Sequence, residues 1–160
     1  MRQINPQHIK RLVQLINNSP FFLLMNNYIC EMREGYCRME INMENKHLNP
    51  FGGIHGGVYA AALDSVAYWA VYCSLAEDTG LITLDISANM VSTASCGKLI
   101  AEGELIKVGR SVCIANATIK DENGKLLACG TSKMLVTSSM QTINQAIVAQ
   151  GNDSLPPKFL

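Results

Sequence analysis

The sequence predicts an α+β fold, the hallmark being an antiparallel sheet of about six strands wrapped around one long central helix, with a short helix ahead of it. Three observations carry that expectation. The stretch Gly56 to Ala76 is apolar almost throughout and holds one charge, Asp64. The flanking segments alternate apolar and polar residues, as half-buried strands do. Two of them precede the long apolar stretch and four follow it, each set off by glycine or asparagine turns.

The elements follow in order. In Pro6–Asn17, Ile9, Leu12, Val13 and Ile16 recur at helical spacing, while Lys10, Arg11 and Gln14 face away. Asn5 suits the N-cap and Pro6 the first helical position. Phe21 to Met25 reads as a brief apolar turn packed as a lid on the sheet. Asn27 to Arg33 and Tyr36 to Met43 read as a hairpin joined at Glu34-Gly35. In the second strand Cys37, Met39, Ile41 and Met43 share one face. Glu44 to Ile54 is a polar loop. After the central helix come strands at Leu81 to Val91, Lys98 to Val108, Ser111 to Asp121 and Lys125 to Thr137. Gly109-Arg110 and Asn123-Gly124 supply the last two turns. Ser139 to Gln150 is a marginal helix, and Gly151 to Leu160, with Pro156-Pro157, reads as a loose tail. A single domain covers residues 1–160, with its core at about 20–137 and a C-terminal extension at 138–160.

Composition narrows the function. With 48% hydrophobic residues the chain has material for a core. Lys plus Arg equals Asp plus Glu at 13 each, which argues against nucleic acid or an anionic membrane as partner. The six cysteines form no CxxC pair, and His8, His47 and His55 have no ligand spacing, so no metal site is expected. The first residues lack the order of a signal peptide. The cysteines are therefore read as reduced and mostly buried, in a cytoplasmic protein. A transmembrane reading of the apolar run is disfavoured by Tyr59, Ser65, Tyr68, Tyr72 and Ser74, and by a carboxylate near its middle.

The chemistry concentrates around that helix. Gly52, Gly53, Gly56 and Gly57 surround Ile54-His55 at its start. Glycine there lets a ligand approach the backbone, and first-turn N–H groups lack helical partners, which makes an oxyanion site. Asp64 lies eight residues beyond Gly56. At ~1.5 Å per residue that is ~12 Å along the axis, too far for both to act on one carbonyl. If both are catalytic, they come from different chains, and the site lies in a dimer interface. His55 is a candidate base, but at a helix start it more often braces the first turn.

The run Asn49…Gly52…His55-Gly56-Gly57…Leu63-Asp64 resembles the hot-dog-fold acyl-CoA thioesterases of the phenylacetyl-CoA thioesterase (PaaI-like) subfamily. The likeness continues through Thr83-Leu84-Asp85-Ile86, Gly97 to Ala101, Val108 to Ser111 and Asp121 to Ala128, in that order, and spans roughly residues 20 to 137. It implies that Asp64 is the catalytic carboxylate, as nucleophile or as base for water. It implies that the Gly56 N–H polarises the thioester carbonyl, that Asn49 helps hold substrate or water, and that Thr83 orients water beside Asp64. Gly56 and Asn49 would come from one subunit, Asp64 and Thr83 from its partner, in a homo-oligomer built as a dimer of dimers. His55, Gly57, Tyr68, Gly109 and Arg110 would contact substrate, with Arg110 near the CoA phosphates. No cofactor is implied, since CoA is part of the substrate. The departure lies at Asn89 to Ala94, where many relatives carry a Phe-x-Arg-Pro-like stretch. Two other readings stand beside hydrolysis: an acyl-CoA-binding domain without turnover, and an enoyl thioester hydratase or dehydratase dependent on His55.

Overall fold

The computed structural model describes residues 3–77, 79–138 and 141–160. Helix α1 occupies Pro6–Asn17, with the bounds expected from its apolar spacing. Asn5 caps it: its side chain accepts from the Gln7 N–H at 3.0 Å. Leu12 and Ile16 face inward and are buried.

A six-stranded sheet follows, made of β1 (Asn27–Arg33), β2 (Tyr36–Asn42), β3 (Gly80–Met90), β4 (Lys98–Lys107), β5 (Val112–Asp121) and β6 (Leu126–Thr137). Its spatial order is β1-β2-β4-β5-β6-β3, every neighbouring pair antiparallel. The long helix α3 (Gly56–Tyr72) crosses its concave face. This is the expected wrap, and it explains the apolar composition of α3. Val58, Tyr59, Ala62, Leu63, Val66, Ala67, Ala70 and Val71 are all buried, because sheet residues close on the helix from several directions. Gly103 on β4 lets it sit close: a Cβ there would lie 2.2 Å from the Val66 carbonyl oxygen. The buried face of β2 is the one its alternation predicts, Cys37, Met39 and Ile41.

Strand β3 positions the residues that the sequence singles out. It is an edge of the sheet, and it runs antiparallel to α3 alongside it. The Tyr68 hydroxyl donates to the Leu81 carbonyl at 3.1 Å, Asp64 meets Thr83, and Met90 lies beside Gly56. The ladder to β6 slips between Thr83 and Asp85, leaving Leu84 as a bulge residue.

Four expectations need correction. Residues Pro20–Leu24 form a short helix, α2, in place of a turn, and it packs on β1 through Phe22 alone; Phe21, Leu23 and Leu24 are exposed. Helix α3 ends at Tyr72 and not at Ala76, because Ser74 and Leu75 bond back only three residues. Only three of the six cysteines are buried, Cys37, Cys73 and Cys113, since Cys30 and Cys96 fall on exposed faces; all six are free. The tail is not loose. Leu155 and Lys158 are buried, and Ile4 pairs with Phe159 in an antiparallel bridge. Helix α4 spans Ile143–Ala149, opened by a Thr142–Gln145 capping box. Ser139 and Met140 of the expected helix lie outside the described residues.

Candidate functional site

The loop before α3 is built around Asn49. Its Oδ1 accepts from the Phe51 and Gly53 N–H groups at 2.9 and 3.2 Å, and its Nδ2 donates to the Ile54 carbonyl at 3.3 Å. Asparagine serves because its short amide can replace a turn's backbone bonds in both directions. His55 then caps the helix, with Nδ1 accepting from the Gly57 N–H at 2.9 Å. In the neutral ring that bond leaves the proton on Nε2, and the residue is exposed. One first-turn donor is thereby satisfied. Its neighbour is not: among the described residues the Gly56 N–H has no hydrogen-bond partner.

Asn49 and Gly56 share a surface depression of about 560 Å³ with Phe51, Gly53, Tyr59 and Met90. Its far wall is the stretch after β3. There the Tyr59 hydroxyl donates to the Ser92 carbonyl at 3.1 Å, and the Ile54 N–H donates to Thr93 Oγ1 at 3.2 Å. A larger groove, about 990 Å³, lies between α1 and β1 and touches none of the residues expected to act.

A second group sits two turns along α3. The Thr83 hydroxyl donates to Asp64 Oδ1 at 2.9 Å, and both residues are half-buried. Tyr68, one turn further, is partly covered, and its phenol is pushed up to about 12, by burial first and by the Asp64 charge second. Neither Asp64 nor Thr83 lines the depression at Gly56. The chain therefore holds two separate halves, Asn49 with Gly56 and Asp64 with Thr83. Arg110 is exposed at the β4–β5 turn beside Thr79 and Val136, next to the start of β3 and at the opposite end of that strand from Gly56. Asp85, the one carboxylate of β3, pairs with Lys133 at 3.1 Å on the outer surface.

The sequence reading passes over Met90. In Asn89 to Ala94 it weighs the arginine that is lacking and not the side chains that are there. The signal available was positional: an apolar residue closing an edge strand that runs beside the helix.

Among the described residues no group of three or more His, Cys, Asp or Glu side chains is gathered to hold a metal ion. No helix among them is long and apolar enough to cross a membrane.

One long helix in the grip of a six-stranded antiparallel sheet, with an open glycine start and a mid-helix carboxylate, defines a hot-dog domain. The family model described as "Thioesterase superfamily" matches residues 51–128, from the loop before α3 into β6, and over that stretch the chain is similar to that superfamily. The crystal structure of a thioesterase from Haemophilus influenzae superposes with a TM-score of 0.77 at 26% identity, over 86% of this chain and 95% of that one. A hypothetical thioesterase from Streptococcus pneumoniae, solved with coenzyme A, gives a TM-score of 0.65 at 26% identity, over 70% and 86%. The 1,4-dihydroxy-2-naphthoyl-CoA hydrolase of Listeria monocytogenes is 29% identical over 62% of this chain and 80% of its own length.

Proposed function

We propose that the protein hydrolyses acyl-CoA thioesters to free acid and CoA, at sites assembled between two copies of the chain. The observation that carries the reading is the Thr83–Asp64 hydrogen bond of 2.9 Å, which sets a hydroxyl against the lone carboxylate of α3 while the Gly56 N–H stands unpartnered two turns away. In this reading the Gly56 N–H donates to the thioester carbonyl oxygen and stabilises the negative charge that gathers there. Asp64 of the other copy takes a proton from water held by Thr83. The water oxygen bonds to the carbonyl carbon, the C–S bond breaks, and the sulfur leaves as thiolate and collects the proton. In the nucleophilic variant an Asp64 oxygen bonds to the carbonyl carbon, the C–S bond breaks and CoA leaves as thiolate, and water then cleaves the mixed anhydride to free acid and the Asp64 carboxylate, its spare proton going to the thiolate.

Several features support a dimer. Edge strand β3 has a free side, with Ile82 and Leu84 exposed along it. The stripe of α3 that its own sheet leaves half-open carries Ala60, Ala61, Asp64 and Ser65, small enough for a second helix to approach. Resemblance to PaaI-like enzymes extends this to a cytoplasmic dimer of dimers. Asn49, which braces the loop, would also reach substrate or water; Arg110 would meet the CoA phosphates; His55, Gly57, Gly109 and Tyr68 would line the path. Hydrolysis of this kind asks for no metal or redox cofactor.

The test is CoA release from a panel of thioesters, with Asp64→Ala beside the wild type. The reading expects turnover by the wild type and its loss in the variant. Tight acyl-CoA binding without turnover would instead mark a binding domain, and turnover of enoyl thioesters that depends on His55 a hydratase.

A further inference from the structure

The depression at Gly56 has one adjustable wall. A Cβ built on Gly56 would lie 2.9 Å from the Met90 Sδ and 3.1 Å from its Cε. The Met90 thioether therefore already rests against the glycine Cα, in the space that a side chain at position 56 would fill. It is nonetheless 49% exposed. This methionine is thus not core filling; it reaches back from the end of β3 over the start of α3.

The backbone around it is tied. The Val91 and Ser92 N–H groups both donate to the Leu127 carbonyl, at 2.9 and 3.1 Å. Ser92 and Thr93 take the bonds from Tyr59 and Ile54 already described. Asn49 locks the facing loop. Among the residues that line the depression, Met90 alone pairs a long flexible side chain with a fixed backbone and a position against the Gly56 Cα. Thioethers on three rotatable bonds fill such gaps without fixing one shape.

We propose that Met90 is a specificity-determining residue, and that it restricts this site to acyl groups unbranched at the carbon next to the carbonyl. The inference rests on the reading that the Gly56 N–H receives the thioester carbonyl. A carbonyl oxygen accepting that bond sits ~2.7–3.1 Å from the nitrogen. The carbonyl carbon and its first substituent then fall beside the Gly56 Cα, where Met90 lies. A methylene there slides past the thioether; a second methyl group meets it.

The experiment compares butyryl-CoA with isobutyryl-CoA, which have the same atoms and differ only in branching. In Met90→Ala the ratio of kcat/KM for isobutyryl over butyryl rises about tenfold or more, the range expected for one methyl group in a pocket. Met90→Leu, which keeps the bulk, stays near the wild-type ratio. A ratio unchanged within about twofold in Met90→Ala overturns the inference, and unchanged melting temperatures show that both variants fold. Binding of the two ketone analogues, with a methylene in place of the sulfur, is measured in parallel by calorimetry. If the wild type hydrolyses nothing, the hydrolase reading fails, and the same shift in relative affinity for the analogues decides for or against Met90. If neither analogue binds the wild type, both readings fall.

Discussion

The two ends of α3 are treated in opposite ways. At its start the Gly56 N–H is left without a partner among the described residues, and the loop before it encloses an open depression. At its end almost nothing is left open. The Lys158 ammonium, fully buried, donates to the carbonyls of Tyr72 and Leu75 at 2.6 and 2.8 Å and lies 3.8 Å from the centre of the Tyr72 ring. His8 holds the Tyr72 hydroxyl with Nε2 at 2.8 Å and the Pro156 carbonyl with Nδ1 at 2.6 Å. The Lys158 N–H donates to Glu77, and Asn5 donates to the carbonyls of Pro157 and Lys158. Both choices suit the helix dipole, which favours a cation at the C-terminus and developing negative charge at the N-terminus. One pole is saturated by the chain itself; the other is left open among the described residues. Activity and stability should therefore come apart along a single helix.

The sharpest way to break that comparison is Asp64→Asn. Asparagine keeps the shape and can still accept from the Thr83 hydroxyl, so melting should hardly move. It cannot take a proton from water or attack a carbonyl. Thioester hydrolysis should drop by about 10²–10⁴-fold, the contribution of a positioned base. A steady-state assay beside a thermal melt checks it, and a variant that melts early without losing turnover per folded molecule would place Asp64 on the structural side.

Lys158→Ala should do the reverse. It empties the space filled by a buried four-carbon stem and leaves two carbonyls at the end of α3 without their donor. About 2–4 kcal/mol of stability should go, while kcat per folded molecule, measured well below the melt, stays put. Trp69, the chain's one tryptophan, lies in a crevice with Leu12, Ile16 and Ile147 and gives a fluorescence readout of that end. The pH dependence sharpens the point. Burial pushes the Lys158 ammonium down to about 8. Between that value and the unfolded range near 10.5 the unfolded chain holds a proton the folded one has released, so stability rises with pH across this window. Burial also lowers His8, against the pull of the Pro156 carbonyl. Its contribution is present above about 6.5 and is lost as pH falls through the folded value. Urea midpoints from pH 7 to 10 should climb in the wild type and climb less in Lys158→Ala.

The open pole was legible in the sequence and the closed one was not, for a physical reason. The apolar spacing of α1, the alternation of β2 and the single charge of α3 are local patterns, and each is set by which face meets the core. The glycine start and Asp64 stood out because they break an apolar pattern, and the distance between them followed from helix rise alone. Thr83 as the partner of Asp64 came only from the family resemblance; nothing in its own segment marks it. The clasp at the far end joins Asn5 and His8 to residues about 150 positions away, and no window of sequence contains both sides. Pro156-Pro157-Lys158 has turn composition and no periodicity, so it reads as a free tail until the tertiary fold brings carbonyls to the lysine. Met90 was hidden for a related reason: a methionine at a strand end is unremarkable until the helix start arrives against it.

His55 tests where the boundary between the two treatments falls, since it stands at the open pole and does structural work. Its Nδ1 already receives the Gly57 N–H, so it cannot accept a proton from water through that atom without giving up the cap. His55→Ala should cost about 1 kcal/mol of stability, the usual loss for an N-cap, and His55→Asn, whose Oδ1 can accept the same bond, should restore most of it. If bracing is the whole of its role, hydrolysis in His55→Asn stays within about threefold of wild type, far from the loss expected on removing a general base. A thermal melt and a kcat/KM profile over pH 6–8 check both halves: a base would remove one limb of the profile with it, whereas a cap leaves the limb in place.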